Sequence, residues 1–219
     1  MSQYPRADER KAMVERQIEA RGVHDPRVLA AMFEIPRHLF IPPPYDRAAY
    51  DDNPLPIGSG QTISQPYIVA LMTELLHPKA TDNVLEIGAG SGYQAAVLSR
   101  LVLRLTTIER ITRVADLARA NLKSIGIDNV VVIEGDGTLG YQGNAPYDGI
   151  IITAATPDVP RPLIEQLADG GTLVAPVGGR DIQDLITINK QGNSITREFH
   201  GGVRFVPLIG QHGWESTNS

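Results

Sequence analysis

Residues 83–92 read NVLEIGAGSG. Val84, Leu85 and Ile87 crowd into five positions, the density of a strand buried on both faces. Gly88, Gly90 and Gly92 follow at its exit, where the chain must turn sharply and let a ligand approach the backbone. YQAAVLSRLV (93–102) is the helix this loop opens. Beyond it the pattern repeats: strand RLTTIER (104–110), helix 114–125, strand NVVVIEGDG (129–137), strand YDGIIITAA (147–155), helix VPRPLIEQL (159–167) and strand GGTLVAPVG (170–178). Such alternation predicts an α/β fold with a doubly wound, mostly parallel sheet.

The flanks read differently. DLITINKQGNSITREFHGGVRFVPL (184–208) predicts an antiparallel hairpin turning at Gln191, Gly192 and Asn193, then a last strand, VRFVPL, at the sheet edge. Upstream, apolar spacing predicts a helix over 6–20 stopped by Gly22, and a second from Asp25-Pro26 to Pro36. Prolines recur through 36–66, leaving little room for regular structure, so this stretch reads as a loop packed on the domain. A helix follows over 67–76. One domain is expected over 1–219, with N-terminal helices and a covering loop (1–80), a cofactor-binding core (81–180), C-terminal strands (181–210) and a tail (211–219).

The chain has 219 residues, with 25 Asp and Glu against 20 Lys and Arg, and the cations are scattered. That distribution argues against a nucleic-acid partner. Cysteine is absent and the five histidines lie far apart, which removes thiol chemistry and argues against a metal site. The charged N-terminus has no apolar signal core, and no apolar run is long enough to span a bilayer. A cytoplasmic protein without a membrane partner, acting as a monomer, is the expectation.

Three acids give the glycine loop its chemistry. Glu109 ends the second strand 21 residues after Gly88, where a carboxylate can accept hydrogen bonds from both ribose hydroxyls of a nucleoside. Asp136, beside Gly137, ends the third strand and can accept the exocyclic amine of an adenine. Glu86 precedes the loop by two residues. The loop is G-x-G-x-G, not the G-x-G-x-x-G of a dinucleotide site, and no basic residue stands in it. Glu86 suits a cation better than a pyrophosphate, so S-adenosyl-L-methionine is favoured over NAD; an NAD-dependent oxidoreductase is the second reading.

VLEIGAGSG, TIER and GDG resemble the cofactor motifs of class I S-adenosylmethionine-dependent methyltransferases. With GQTISQPYIVA (60–70), PYDGIIITAA (146–155) and VRFVPL (203–208), the chain from about Val14 to Leu208 resembles the protein-L-isoaspartate (D-aspartate) O-methyltransferase family. That resemblance implies a Rossmann-like methyltransferase fold and methylation of the α-carboxyl of L-isoaspartyl residues in damaged proteins and peptides, with S-adenosyl-L-homocysteine as by-product. It implies Ser64 as the active-site residue, Thr62 and Gln65 beside the methyl donor, and Glu86, Gly88, Gly90, Gly92, Glu109, Asp136 and Gly137 around the cofactor. The backbone at Arg204 and Val206 would pair with an extended substrate. Thr138 departs from the family pattern, which has Trp or Arg after the Asp-Gly pair.

Ser64 stands in GSGQTISQP (58–66), which is not the G-x-S-x-G of a nucleophilic serine, and its neighbours supply neither histidine nor acid. A substrate carboxylate, with a pKa of about 4, is already an anion at neutral pH and needs no general base. Ser64 therefore reads as a hydrogen-bond donor that orients the carboxylate, with a turn or helix cap as the plainer alternative. A nucleic-acid adenine methyltransferase would carry [DN]-P-P-[YF] after the fourth strand, where this chain has TAATP (153–157). A methyltransferase of small carboxylic acids and a non-catalytic module binding cofactor and damaged protein stay open at this stage.

Overall fold

A computed structural model describes residues 4–215. The chain opens with α1 (Ala7–Met13), which continues through a π turn (Val14–Ile18) and a 3-10 turn (Glu19–Arg21) to Gly22, whose φ of 98° ends it. In α2 (Pro26–Glu34) the Asp25 side chain caps the helix by accepting from the Arg27 N–H. Two 3-10 turns, Arg37–Phe40 and Pro43–Ala48, lead to β1 (Leu55–Gly58), β2 (Gln61–Ile63) and α3 (Pro66–Leu75). The alternating part follows: β3 (Asn83–Ile87), α4 (Tyr93–Ser99), β4 (Arg104–Glu109), α5 (Thr112–Ser124), β5 (Val130–Glu134), β6 (Tyr147–Ile152), α6 (Arg161–Gln166) and β7 (Leu167–Gly178). The long hairpin β8 (Gln183–Gln191) and β9 (Ser194–Val203) completes the sheet.

The seven-stranded sheet runs β5-β4-β3-β6-β7-β8-β9. Its first five strands are parallel, and β8 and β9 add antiparallel. From β3 the chain winds outward to β4 and β5, then returns to the other side of β3 at β6. That reversal opens a crevice beyond the carboxyl ends of β3 and β6, the place where open α/β sheets bind ligands. Every residue of β3 is buried: Val84 joins the apolar cluster packed with the N-terminal helices and α4, while Leu85 and Ile87 join the cluster on the opposite face. Among the described residues no helix is long and apolar enough to cross a membrane.

The structure departs from the sequence reading in two places. Within the proline-rich stretch, β1 and β2 form a hairpin, with Leu55 opposite Ile63 and Gly58 opposite Gln61. Its two-residue turn, Ser59-Gly60, has φ values of 51° and 71°, the primed geometry that suits the twist of paired strands. Pro56 is tolerated because a two-stranded ribbon consists only of edges. Second, VRFVPL is no regular strand. The Phe205 N–H donates to the Gln183 side chain at 2.9 Å instead of a ladder. Val203 ends β9, and beyond it the segment is tied to Ala155, which donates to the Val206 carbonyl at 2.8 Å and accepts from the Leu208 N–H at 2.7 Å. Of the expected tail over 211–219, residues 216–219 lie outside the described ones.

Candidate active site

The glycine loop is folded by its neighbours. The Gly88 N–H donates to the Ile108 carbonyl at 2.8 Å, and the Thr153 hydroxyl to the Gly88 carbonyl at 2.7 Å. Gly88 has φ 98°, and a Cβ there would lie 2.6 Å from that hydroxyl, so only glycine fits. Gly90 differs: a Cβ on it would meet nothing closer than Ile57 Cδ1 at 3.8 Å, so the space above it is open to a ligand. Glu109 braces the loop, accepting from the Gly90 N–H at 3.2 Å and the Ile111 N–H at 3.0 Å.

Glu86 lies behind the loop, fully buried, and neither of its oxygens has a hydrogen-bond partner among the described residues. Burial pushes its carboxyl up to about 8; the Thr107 hydroxyl opposite it on β4 eases the charged form without closing a hydrogen bond, and the charge of Glu109 adds to the rise. A buried acid without a partner is costly unless a cation arrives to pair with it.

Two concavities meet at this edge. The inner pocket is walled by the glycine loop, β2 and the ends of β4 and β6, and Glu109 is its sole charged lining residue. The outer cleft, of about 990 Å³, is lined by Arg21, Arg180, Arg204 and His200 with no carboxylate. Thr62, Ser64, Ile68, Thr153, Phe205 and Val206 belong to both walls. An acid-faced pocket thus adjoins a cation-rimmed cleft, and the half-buried Ser64 stands on the partition. The Ser64 hydroxyl makes no hydrogen bond among the described residues. It does not cap α3: the Asp52 carboxylate does so, accepting from the Tyr67 N–H at 2.9 Å.

The expected site residues sort by position. Thr62, Ser64, Gly88, Gly90, Glu109 and Val206 line the inner pocket; Gln65 and Arg204 line only the cleft. Gly92 starts α4 with φ 88°, where a Cβ would press on Ala118 and Leu122 of α5 at 3.3–3.4 Å, and at Gly137 a Cβ would lie 2.5 Å from Ile87 Cγ2. In the structure both glycines permit close packing. Asp136 is engaged by the chain: Oδ1 accepts from the Thr138 N–H at 2.9 Å and hydroxyl at 2.7 Å, and Oδ2 from the Gln211 N–H at 2.7 Å. Thr138 in turn accepts from the His212 N–H at 3.1 Å, so the residue that departs from the family pattern helps tie down the tail. The Val206 carbonyl accepts from the Ala155 N–H. Sequence reasoning overlooked Thr153 and Ile57. Thr153 follows β6, the strand beside β3 at the reversal, and strand order alone reveals its place.

An open α/β sheet with an acid-faced glycine pocket at its reversal point defines an S-adenosylmethionine-dependent methyltransferase. The match to known proteins is closer than that class. The family model for protein-L-isoaspartate(D-aspartate) O-methyltransferase (PCMT) matches residues 8–213, and the chain belongs to that family. A protein-L-isoaspartate O-methyltransferase of Methanoregula boonei is 66% identical over 213 residues, covering 97% of this chain and 98% of the relative. A solved protein-L-isoaspartate O-methyltransferase superposes with a TM-score of 0.82 at 30% identity, over 93% of this chain and 67% of that one. A beta-aspartate methyltransferase (PCMT) from Plasmodium falciparum, solved in complex with S-adenosyl-L-homocysteine, shares the fold with a TM-score of 0.78 at 24% identity, over 91% of this chain and 98% of that one.

Proposed function

We propose that this chain methylates the free α-carboxyl of L-isoaspartyl residues in damaged proteins and peptides, as a cytoplasmic monomer, with Ser64 orienting the carboxylate. The observation that carries this reading is the unpartnered Ser64 hydroxyl on the partition between an acid-faced pocket and a cation-rimmed cleft. Charge is sorted as the reaction needs: a cationic donor on one side, an anionic acceptor on the other.

The residues present fit S-adenosyl-L-methionine. Glu109 faces the inner pocket, the space above Gly90 is open, and no lining residue of that pocket is basic. Gly88, Gly90 and Glu109 would hold the methyl donor, with Thr62 beside it; Glu86 stands behind the loop and Asp136 beside the tail, and neither lines the pocket. When bound, it supplies a methyl on a sulfonium: a carboxylate oxygen–carbon bond forms as the carbon–sulfur bond breaks, leaving a methyl ester and S-adenosyl-L-homocysteine.

The chain then has little covalent work. No proton need be removed from the acceptor at neutral pH, so no general base is required. Ser64 donates to one carboxylate oxygen and leaves the other free to attack. Phe205 and Ile68, in the shared wall, exclude water from the anion. The Val206 N–H and the main chain of Arg204 hold the substrate backbone, recognition that tolerates many sequences.

The test is transfer of radiolabelled methyl to a matched pair of peptides, one with L-isoaspartate and one with normal aspartate. Base-labile label is expected on the isoaspartyl peptide alone. Ser64→Ala is expected to lower kcat about 10- to 100-fold, the range for losing one well-placed donor. Label on neither peptide, with S-adenosyl-L-homocysteine still bound, would overturn the acceptor assignment and keep the cofactor.

A further inference from the structure

The outer cleft carries more positive charge than one carboxylate needs. Acids outnumber Lys and Arg by 25 to 20 in the chain, yet Arg21, Arg180, Arg204 and His200 line this cleft and no Asp or Glu does. Arg21 is answered by Asp52 at 2.5 Å and lies over the Tyr67 ring. The other two guanidinium groups have no ion-pair partner among the described residues. Arg180 lies 4.8 Å from the centre of the Trp214 ring and donates only to the Glu215 carbonyl, and Arg204 makes no ion pair or side-chain hydrogen bond among the described residues. Both are exposed on segments that frame the cleft, one following β7 and the other following β9.

These cations do not suit the reacting carboxylate. A guanidinium clamped on both oxygens would draw off the charge that makes them nucleophilic. Nor does one aspartyl side chain fill about 990 Å³. The rest of the cleft is floored by Ile68, Leu71 and Phe205, a surface for several residues of extended chain. Free cations around an apolar floor, on an acidic protein, select by charge what lies along that floor.

We propose that the cleft reads acidic side chains: Arg180 and Arg204 pair with Asp or Glu residues flanking the isoaspartyl residue, so acidic segments of damaged proteins are the preferred substrates. This rests on the methyl-transfer reading above and adds to it a charge specificity.

The experiment uses isoaspartyl peptides identical except for two flanking positions on each side, occupied by Glu, Gln or Lys. The readout is the ratio of kcat/KM between Glu- and Gln-flanked peptides. Exposed ion pairs predict a ratio of about two- to fivefold per engaged charge, with Lys flanks below Gln and the ratio shrinking as salt is raised. In Arg180→Gln/Arg204→Gln the ratio falls toward one. A wild-type ratio of one, or a preference for Lys, overturns the proposal. So does a Glu preference that survives in the double variant, because the two arginines are then not its source. An equal loss on all three peptides with the ratio intact places the arginines on the reacting carboxylate and also overturns it. The Gln-flanked peptide keeps the two readings apart: its methylation upholds the transfer activity whatever the ratio, and failure to methylate any peptide removes the activity on which the proposal rests.

Discussion

Arg37 holds Ser64 by its backbone. Its Nη1 donates to the Ser64 carbonyl at 3.1 Å, while Nη2 donates to the Asn53 carbonyl at 3.0 Å and Nε to the Ala49 carbonyl at 2.8 Å. The side chain is fully buried, with no acid at ion-pair distance among the described residues, and its guanidinium carbon lies 5.4 Å from the centre of the Tyr93 ring. Burial draws its pKa down to about 10, still far above neutral pH, so three carbonyl dipoles and a ring face hold a charged group. Just beyond Ser64, Asp52 binds the Tyr67 N–H at the start of α3. The serine is fixed from both sides while its hydroxyl stays free.

Arg37 is therefore a positioning residue for Ser64. Arg37→Met strands three carbonyls and is expected to cost about 2–4 kcal/mol in stability. Arg37→Lys keeps the charge but cannot span the same three acceptors, and is the variant for kinetics. Assayed well below its Tm, it is expected to lose kcat with isoaspartyl peptide more than it raises KM. A double-mutant cycle with Ser64→Ala supplies the decisive number: if Arg37 acts through Ser64, the two losses do not add. Fully additive losses would show that Arg37 only holds the fold.

The buried acid behind the loop predicts a pH dependence of binding. Glu86 has a pKa of about 8 in the folded chain against 4.5 as the reference, so between those values the folded state holds the extra proton. Its contribution to stability without ligand is present at low pH and is lost as pH rises through about 8. The ammonium of bound S-adenosyl-L-homocysteine, its one cation, favours the ionised carboxylate behind the loop, so affinity should weaken as pH falls below about 8, by up to about tenfold per pH unit, with proton release on binding. Calorimetry in buffers of differing ionisation enthalpy measures both effects. Glu86→Gln is expected to bind weakly with no such slope; a flat profile in wild type would show that Glu86 keeps one protonation state throughout.

The alternating strands and helices from 83 to 178 were legible because each apolar run is bounded by turn residues. The hairpin of β1 and β2 was not, since Pro54 and Pro56 mask two very short strands whose pairing only coordinates reveal. Glu109 was legible from its spacing, because a strand–loop–helix–strand unit brings that position back beside the loop. Thr153 was invisible: it bonds Gly88 across 65 residues of chain, and nothing local marks it. Glycines exposed the limit of motif reading most sharply. Gly88, Gly90, Gly92 and Gly137 look equivalent in the sequence, yet each is glycine for its own steric reason.

That difference makes a paired test. Gly88→Ala combines positive φ with a Cβ 2.6 Å from Thr153 Oγ1, and is expected to destabilise by about 2–4 kcal/mol. Gly90→Ala has φ 54° and open space around it, so the backbone costs about 1–2 kcal/mol and the chain folds. Its methyl enters the pocket instead, and S-adenosyl-L-homocysteine affinity should fall at least tenfold. Thermal melts with and without that ligand separate the two: Gly88→Ala lowers Tm by the larger amount in both conditions, whereas Gly90→Ala lowers it by a few degrees alone and gains little from ligand. Equal ligand-induced stabilisation of Gly90→Ala and wild type would remove Gly90 from the cofactor contact.

Asp136 joins the third parallel strand to the C-terminal tail, and the bond can be read without cofactor. Burial works to raise its pKa, but the Gln211 N–H and the Thr138 hydroxyl and N–H outweigh it and leave the pKa below the ordinary 3.8. The carboxylate's contribution is thus fully present above that value and is lost only as pH falls through the lower folded pKa, so the tail stays tied at neutral pH. Asp136→Asn keeps the shape and replaces one acceptor oxygen with an amide that cannot receive either tail or turn. Amide exchange at Gln211 and His212 is expected to quicken in this variant with no ligand present, while exchange in β3 and β4 stays as in wild type. Because no cofactor enters the measurement, unchanged exchange at Gln211 would mean that the tail is held by Thr138 and the packing of Trp214, and that any effect of Asp136 on activity arises at the adenine.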